Sequence, residues 1–429
     1  MPRITRIGLL ILLGWTTAGA VVQQRSVDAH TSRGVSAVEA NDLKEAERQF
    51  AAAASLAPAD AATRNNYGAI LMRLGRTAQA RMEFEASLKL NPNQPSALTN
   101  LAQIYFDSGQ LDDLQAARSL LERAAKITSD PQISEALVVT YLKLSQVLMA
   151  KKDLRAAGRT LESAVASGLH DAKIYAALAD VYEADGHYEN AIPAMRLAVQ
   201  RDSQNEMYHF RYGLLLADSH APAAGILRLQ EALKQFPSSA RLWLGLGIAQ
   251  LTHGQNVEAE TSFKRSLSLD TKLVPALAYL GVTYAERGQY DKATGFYEQA
   301  IALNSRLAAL HYLTAETILK TSNADTTRAE NYLKRAIELD PNLAAAYLSW
   351  GRIHVRANRY SEAAPLLQRA VSLQPELLEA HYQLSRVLVK LKRPDEANRE
   401  LEIFKQLSAR QKAQNESREI VRRLANVRF

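Results

Sequence analysis

Apolar and small residues recur along the chain in a fixed order. In segments of about 34 residues, a small residue is followed four positions later by a bulky apolar one. Another small residue comes three positions after that. The triplets include Ala80, Phe84, Ser87; Ala191, Met195, Ala198; Ala259, Phe263, Ser266; Ala293, Tyr297, Ala300; and Ala363, Leu367, Ala370. Steps of four and three put all three residues on one face of an α-helix. The preceding half of each segment pairs a large residue with a small one, as in Tyr67-Gly68, Leu178-Ala179, Tyr212-Gly213, Leu246-Gly247, Leu280-Gly281 and Trp350-Gly351. The small partner admits a neighbouring helix and the large one fills the space beside it. A turn separates the halves and often holds a glycine (Gly75, Gly109, Gly186, Gly254, Gly288). Segments tend to end in Asp or Asn followed by Pro, as in Asn91-Pro92 and Asp340-Pro341, and the proline stops the second helix.

These signals predict helix–turn–helix units at 27–60, 61–94, 95–131, 138–171, 172–205, 206–239, 240–273, 274–307, 308–343, 344–377 and 378–411. The order of residue types resembles the tetratricopeptide repeat family, as found in exported bacterial proteins of this kind. Residues 274–307 follow the pattern well through Leu277, Leu280-Gly281, Tyr284, Gly288, Ala293, Tyr297 and Ala300, with Ser305 in place of the final proline. The resemblance covers nearly all of the chain after its first residues. It implies an all-α fold, a right-handed superhelical solenoid of antiparallel helix hairpins with about eleven repeats and a C-terminal capping helix.

Some units depart from the pattern. The first keeps Ala46, Phe50, Ala53 and Pro58 but has a poor leading helix. The third carries about three extra residues near 112–116, followed by a loose stretch at 130–137. The ninth carries two extra residues around 323–327. Such insertions are expected to lengthen turns and spare the helix packing. After the last unit, Ile420, Val421, Leu424 and Val427 form a partial apolar stripe among Arg418, Arg422, Arg423 and Arg428, which reads as the cap. The expected organisation is a signal peptide at 1–20, a leader and degenerate first repeat at 21–60, repeats two and three at 61–131, repeats four to eleven at 132–411, and the capping helix at 412–429.

Composition narrows the chemistry. The chain has no cysteine, which excludes disulfides, thiolate metal sites, a cysteine nucleophile and a thioether lipid anchor. Arg3 and Arg6 precede an apolar run at 7–15, and Ala18-Gly19-Ala20 offers a small-x-small cleavage pattern. That layout is a secretory signal, so the chain is expected to be exported to the periplasm or secreted. The alternative is an uncleaved anchor in the inner membrane. No other segment reads as long and apolar enough to span a bilayer. Removing the leader takes the net charge from +7 to +5, which is no basis for a nucleic-acid partner.

The resemblance also indicates where a partner would bind. In this family the exposed residues of the inner surface sit mostly at unit positions 2, 5, 9, 12 and 13. Near the C-terminal end these positions give Tyr312, Glu316, Leu319 and Lys320, then Arg352, Val355 and Arg356, then Tyr382, Arg386, Val389 and Lys390. A basic and aromatic patch of this kind suits an acidic or C-terminal peptide segment; ordinary solvated helix surface is the competing reading. The middle units offer Met207, Phe210 and Leu214, then Leu244, Ile248 and Leu251, either a hydrophobic groove or packing against the next unit. The clamp by which one branch of the family holds chaperone C-termini is matched at too few positions: Asn100 fits, but Asn65, Ala69, Val139 and Lys143 stand where it asks for Lys, Asn, Lys and Arg.

Nothing points to catalysis. His209, His311 and His381 share unit position 4 with Trp243, Leu277 and Tyr347, and His354 occupies a slot that holds Tyr105, Tyr182 or Tyr284 elsewhere. They read as packing residues. No H-E-x-x-H, phosphate-cradling or G-x-S-x-G motif is present. The expected function is a non-catalytic scaffold holding another protein or peptide, with no cofactor or metal. Binding of an anionic polymer or glycan along the basic part of the groove is the alternative, and an enzyme of unrecognised type a more distant one. The sequence leaves the partner and the oligomeric state open.

Overall fold

The computed structural model describes the backbone of residues 4–219 and 221–425, and the side chains of residues 21–219 and 221–412. The described residues are helical throughout, with turns between. The chain divides into two compact units, residues 1–208 and 209–429.

The first unit contains five antiparallel hairpins: α1 (Ile4–Glu39) with α2 (Leu43–Leu56), α3 (Ala61–Arg73) with α4 (Thr77–Leu90), α5 (Pro95–Ser108) with α6 (Leu111–Ile127), α7 (Pro131–Ala150) with α8 (Leu154–Ala166), and α9 (Ala172–Ala184) with α10 (Tyr188–Arg201). The second unit contains six, beginning with α11 (Glu206–Asp218), whose first three residues fall before the division, and α12 (Pro222–Gln235). Then come α13 (Ala240–Thr252) with α14 (Asn256–Leu269), α15 (Val274–Glu286) with α16 (Tyr290–Leu303), α17 (Ala308–Ile318) with α18 (Thr326–Leu339), α19 (Ala344–Arg356) with α20 (Tyr360–Leu373), and α21 (Leu378–Lys390) with α22 (Pro394–Ala425). The protein is thus an all-α hairpin solenoid of about eleven repeats. The expected capping helix continues α22 without a break, and the Ile420–Val427 stripe lies outside the described side chains.

The small-and-large pattern has a specific cause. Where that small residue is glycine, it faces the bulky residue sixteen positions later on its own second helix. A Cβ added to Gly68 would lie 2.7 Å from the Phe84 ring, one on Gly247 2.5 Å from Phe263, and one on Gly351 2.8 Å from Leu367. Gly213 faces Leu229 and Gly281 faces Tyr297 in the same way. Gly34 faces Phe50, so the end of α1 serves as the leading helix of the first repeat despite its weak pattern. Position 15 is left-handed in nine of the units. Gly75, Gly109, Gly186, Gly254 and Gly288 supply it at no steric cost, while Asn41, Lys152, Asn358 and Lys392 adopt φ of 56° to 63°. At the unit ends, the Asn91 and Asp340 carboxamide and carboxylate oxygens accept the backbone N–H two residues on, at 3.1 and 2.9 Å, closing a turn ahead of the next helix.

Two expectations about the irregular joints are corrected. The stretch at 130–137 is not loose. Asp130 caps α7 by accepting the Gln132 N–H at 2.8 Å, Pro131 occupies the first turn, and Ile133 and Leu137 are buried. The extra residues of the third repeat lie within the 17-residue α6 and not in a turn. Those of the ninth repeat do fall in a turn, between α17 and α18. The expectation that no segment after the leader could span a bilayer is corrected too. Among the described residues, α7 has the length and a mean hydropathy of 1.3 that crossing would need. Its apolar side chains are used differently: Ile133, Leu137, Val138, Tyr141, Leu144 and Leu148 are buried among the neighbouring helices of the first unit.

Successive hairpins are also stitched by carboxylates. Glu122 on α6 accepts from the Tyr141 hydroxyl at 2.6 Å, and Glu162 on α8 from Tyr182 at 2.7 Å. Glu260 on α14 accepts from the Tyr284 hydroxyl at 2.6 Å, from Lys264 Nζ at 2.7 Å, and from Arg287. Glu298 takes Tyr332 at 2.6 Å together with Arg328, and Glu330 takes Arg359 at 2.8 Å. The hydrogen bonds from Lys264 and Tyr284 hold the Glu260 carboxyl down at about 2. Burial, then the bonded carboxylate, pushes the Tyr182 and Tyr332 hydroxyls up to about 12.

Candidate functional site

Helices α19 and α21 stand side by side in the second unit and present matching faces. On α19, Arg352, Val355 and Arg356 follow at steps of three and one. On α21, Gln383, Arg386, Val387 and Lys390 follow at three, one and three. Both sets are single helix faces. Together with Asn358, Tyr360 and Glu379 they line a groove of about 350 Å³. The helices exist for ordinary reasons. Ala346 and Ile353 pack into the core with α17 and α18, Leu348 into the core with α20 and α21, and Ala380, Leu384 and Leu388 bury one side of α21. The basic residues are what remains facing outward.

The groove has an excess of positive charge. Arg352 Nε lies 3.4 Å from a Glu379 carboxylate oxygen, and that is the acid among the lining residues. Arg356, Arg386 and Lys390 are exposed and have no acid within ion-pair distance among the described residues. Arg386 is positioned by Tyr382, its guanidinium lying 5.7 Å from the ring centroid; that ring in turn packs on Phe404 of α22 at 5.3 Å. Three cations in fixed register beside a carboxylate-paired fourth can take up carboxylates by charge-assisted hydrogen bonds.

Of the residues expected from sequence to meet a partner, the structure gathers Arg352, Arg356, Arg386 and Lys390 around one groove. Tyr382 supports that wall without lining it. Tyr312 does not line the groove but lies near its Arg352 and Glu379, and Lys320 is outside the lining. Tyr312 is half-buried, its hydroxyl raised by burial and then by Glu316, and Lys320 is exposed just after α17. Asn358, Tyr360, Glu379 and Gln383 were not anticipated. Glu379 occupies unit position 2, so the rule that selected the basic residues also reaches the acid that tempers them.

Much of the apolar middle set is engaged in packing. Met207 belongs to the first unit and is 38% exposed. In the second unit, the Phe210 ring lies where a Cβ on Gly245 would meet it at 2.9 Å, Leu244 is buried, and Ile248 and Leu251 pack on the core built around Leu277 and Leu280. Leu214 is half-buried. Packing against neighbouring helices therefore accounts for Phe210, Leu244, Ile248 and Leu251.

The histidines are explained by repeat geometry. In four units, position 4 carries a side-chain N–H that donates to the backbone carbonyl six residues earlier. Arg64 donates to Pro58 at 2.8 Å, Trp243 to Pro237 at 3.1 Å, His311 Nε2 to Ser305 at 3.0 Å, and His381 Nε2 to Pro375 at 2.9 Å. The Nδ1 of His381 faces Glu400 at 2.5 Å. His354 is buried, which with the nearby Arg359 lowers its pKa. Its Nδ1 approaches Glu362 to 3.2 Å but is not aligned for a hydrogen bond. Among the described residues no three His, Asp or Glu side chains gather into a group that could hold a metal ion.

Comparison with known proteins agrees with this architecture. A curated relative, "Cellulose synthase operon protein C" of Xanthomonas axonopodis pv. citri (strain 306), is 25% identical over 281 residues, covering 61% of this chain and 18% of the relative. "TPR repeat-containing protein YpiA" of Bacillus subtilis (strain 168) is 22% identical over 261 residues, covering 61% of this chain and 60% of the relative. The chain spans less than two thirds of the length of these curated relatives. Among solved structures, yeast Tom70 covers 94% of this chain and all of that one, at 15% identity and a TM-score of 0.46. Three family models, each described as tetratricopeptide repeat, match residues 71–137 and 354–411; 31–95, 142–206, 211–273 and 321–376; and 274–307. With matches from residue 31 to residue 411 and hairpins in phase with them, the chain belongs to the tetratricopeptide repeat family.

Proposed function

We propose that this protein is a non-catalytic scaffold that holds a partner protein by an acidic or C-terminal segment laid in the α19–α21 groove. The observation that carries this reading is the set of Arg356, Arg386 and Lys390, held on two packed helices without acids of their own. Exposed cations of this kind bring little to stability, whereas a partner's carboxylates would complete them. Export belongs to the same reading. Arg3, Arg6, the apolar run at 7–15 and Ala18-Gly19-Ala20 support a chain sent to the periplasm or secreted.

The test uses fluorescence anisotropy of the full chain with a labelled peptide ending in three acidic residues and a free carboxylate. The double variant Arg356→Glu/Arg386→Glu should bind about tenfold or more weakly, with helical content by circular dichroism unchanged. Equal affinity for wild type and variant sinks the groove assignment. A sulfated polysaccharide that binds more tightly than the peptide, with affinity falling steeply as salt rises, transfers the groove to an anionic polymer.

A further inference from the structure

The first unit holds a second concavity whose chemistry is the opposite of the basic groove. It lies between α5 and α7 over α6 and has a volume of about 300 Å³. Thr99, Ala102, Gln103 and Phe106 line one side, and Gln132, Glu135, Ala136, Val139 and Thr140 the other, with Leu121 beneath. Its floor is apolar in chemistry as well as in name. The Thr99 hydroxyl donates to Pro95 O at 2.9 Å and the Thr140 hydroxyl to Ala136 O at 2.7 Å, so both polar groups are spent on their own helices. Val139 is 41% exposed, an uncommon position for a large aliphatic side chain on a helix so rich in buried ones.

This cavity is a product of the irregular joint. Gln132, Glu135 and Ala136 come from the two turns by which α7 begins ahead of the regular repeat register. A helix starting at 138 would leave that wall missing. The one charge among the lining residues is negative: Glu135 is exposed with no cation within ion-pair distance among the described residues. No Lys or Arg is among the lining residues.

We infer that the α5–α7 cavity is a second docking site, which takes one bulky apolar side chain of a partner segment whose neighbouring residues are Lys or Arg. The volume is at the small end for ligand pockets and suits an anchoring side chain better than a cofactor. Charge complementarity selects the flanks. Glu135 would pair with a cation there and disfavour the acidic segment assigned to α19–α21. The chain then carries two docking sites with opposite preferences, and neither requires the other.

The absence of native cysteine permits a direct test. In the full chain, Gln132→Cys places one thiol at the rim. It is equilibrated with three cysteamine disulfides in a thiol buffer: one capped with phenylalanine, carrying a phenyl ring and an amine; one with phenylsuccinate, carrying a ring and a carboxylate; and one with glycine, carrying the amine alone. Intact mass spectrometry reads the fraction of each adduct as reductant is raised. The phenylalanine cap should survive about tenfold more reductant than either other cap. The added exposed-surface change Glu135→Lys should move the preference to phenylsuccinate. The control Lys173→Cys, outside the cavity, should rank the caps equally. Equal survival of the caps on the Gln132→Cys thiol, a ranking untouched by Glu135→Lys, or the same ranking at position 173 overturns the assignment. None of these readings depends on the α19–α21 groove.

Discussion

Glu260 is the most connected of the inter-hairpin stitches, and Glu260→Gln is the sharpest test of their importance. The carboxylate accepts the Tyr284 hydroxyl at 2.6 Å and Lys264 Nζ at 2.7 Å on one oxygen, and Arg287 on the other. Glutamine keeps one acceptor and turns an NH2 toward a cation. Lys264 and Arg287 are both well exposed, so each contributes only a few tenths of a kcal/mol after solvent screening. Tyr284 is buried, and exchanging its charge-assisted bond for a neutral one is worth about 1 kcal/mol. The sum is a loss of about 1.5 kcal/mol at pH 7. In a repeat array this loss is local, so hydrogen exchange is the fitting assay. Amides of α15 and α16 should exchange about tenfold faster in the variant, with those of α3 and α4 unchanged. The pH dependence has a fixed sign. A carboxyl held at about 2 against an ordinary value near 4.5 stabilises fully above about pH 4.5, and that stabilisation is lost as pH falls toward 2. Wild-type protection of α15 should therefore decline over that window, while the variant lacks the Glu260 share of the decline. Less than a threefold change at pH 7, or the same acid decline in both proteins, would refute the reasoning.

Two glycines and a lysine give further tests. Gly247→Ala and Gly295→Ala should shift stability in opposite directions by thermal denaturation. The first drives a Cβ to 2.5 Å from Phe263 and loses about 1–2 kcal/mol net, while the second enters open space on α16 and gains up to about 1 kcal/mol in helix propensity. Lys392→Gly relieves a left-handed residue at φ 59° and should raise the stability of the last hairpin by about 1 kcal/mol, read as slower exchange in α21.

How much of this was legible in the sequence depends on the scale of the interaction. The hairpins were legible because each unit repeats the same one-sided packing problem, and Gly247 against Phe263 or Gly281 against Tyr297 is the same solution written again. The register survives even at the left-handed turn, where lysine and asparagine replace glycine. The joints were less legible. Helix and turn are both compatible with a few extra polar residues, and the choice at 130–137 was made by the Asp130 cap and by burial of Ile133 and Leu137, neither of which has a fixed unit position. The basic groove was half legible. Position rules found Arg352, Arg356, Arg386 and Lys390, but not that Tyr312 and Lys320 fall outside the lining, because side-chain reach is not periodic. The cavity of the first unit was invisible to those rules, since half its wall lies before the unit as counted.

Unit position 4 shows how such a chain can drift without losing its build. Arg64, Trp243, His311 and His381 share no shape, charge or hydropathy, and a residue-by-residue score between units would treat them as mismatches. Each nonetheless delivers one N–H to the carbonyl that closes the previous unit. What these four units keep at that slot is a direction of hydrogen bonding, whereas Leu98 and Leu277 fill it by burial. The four repeats look diverged there yet make the same join to the preceding unit, and an exchange of His381 for tryptophan or arginine would be milder than its exchange for leucine.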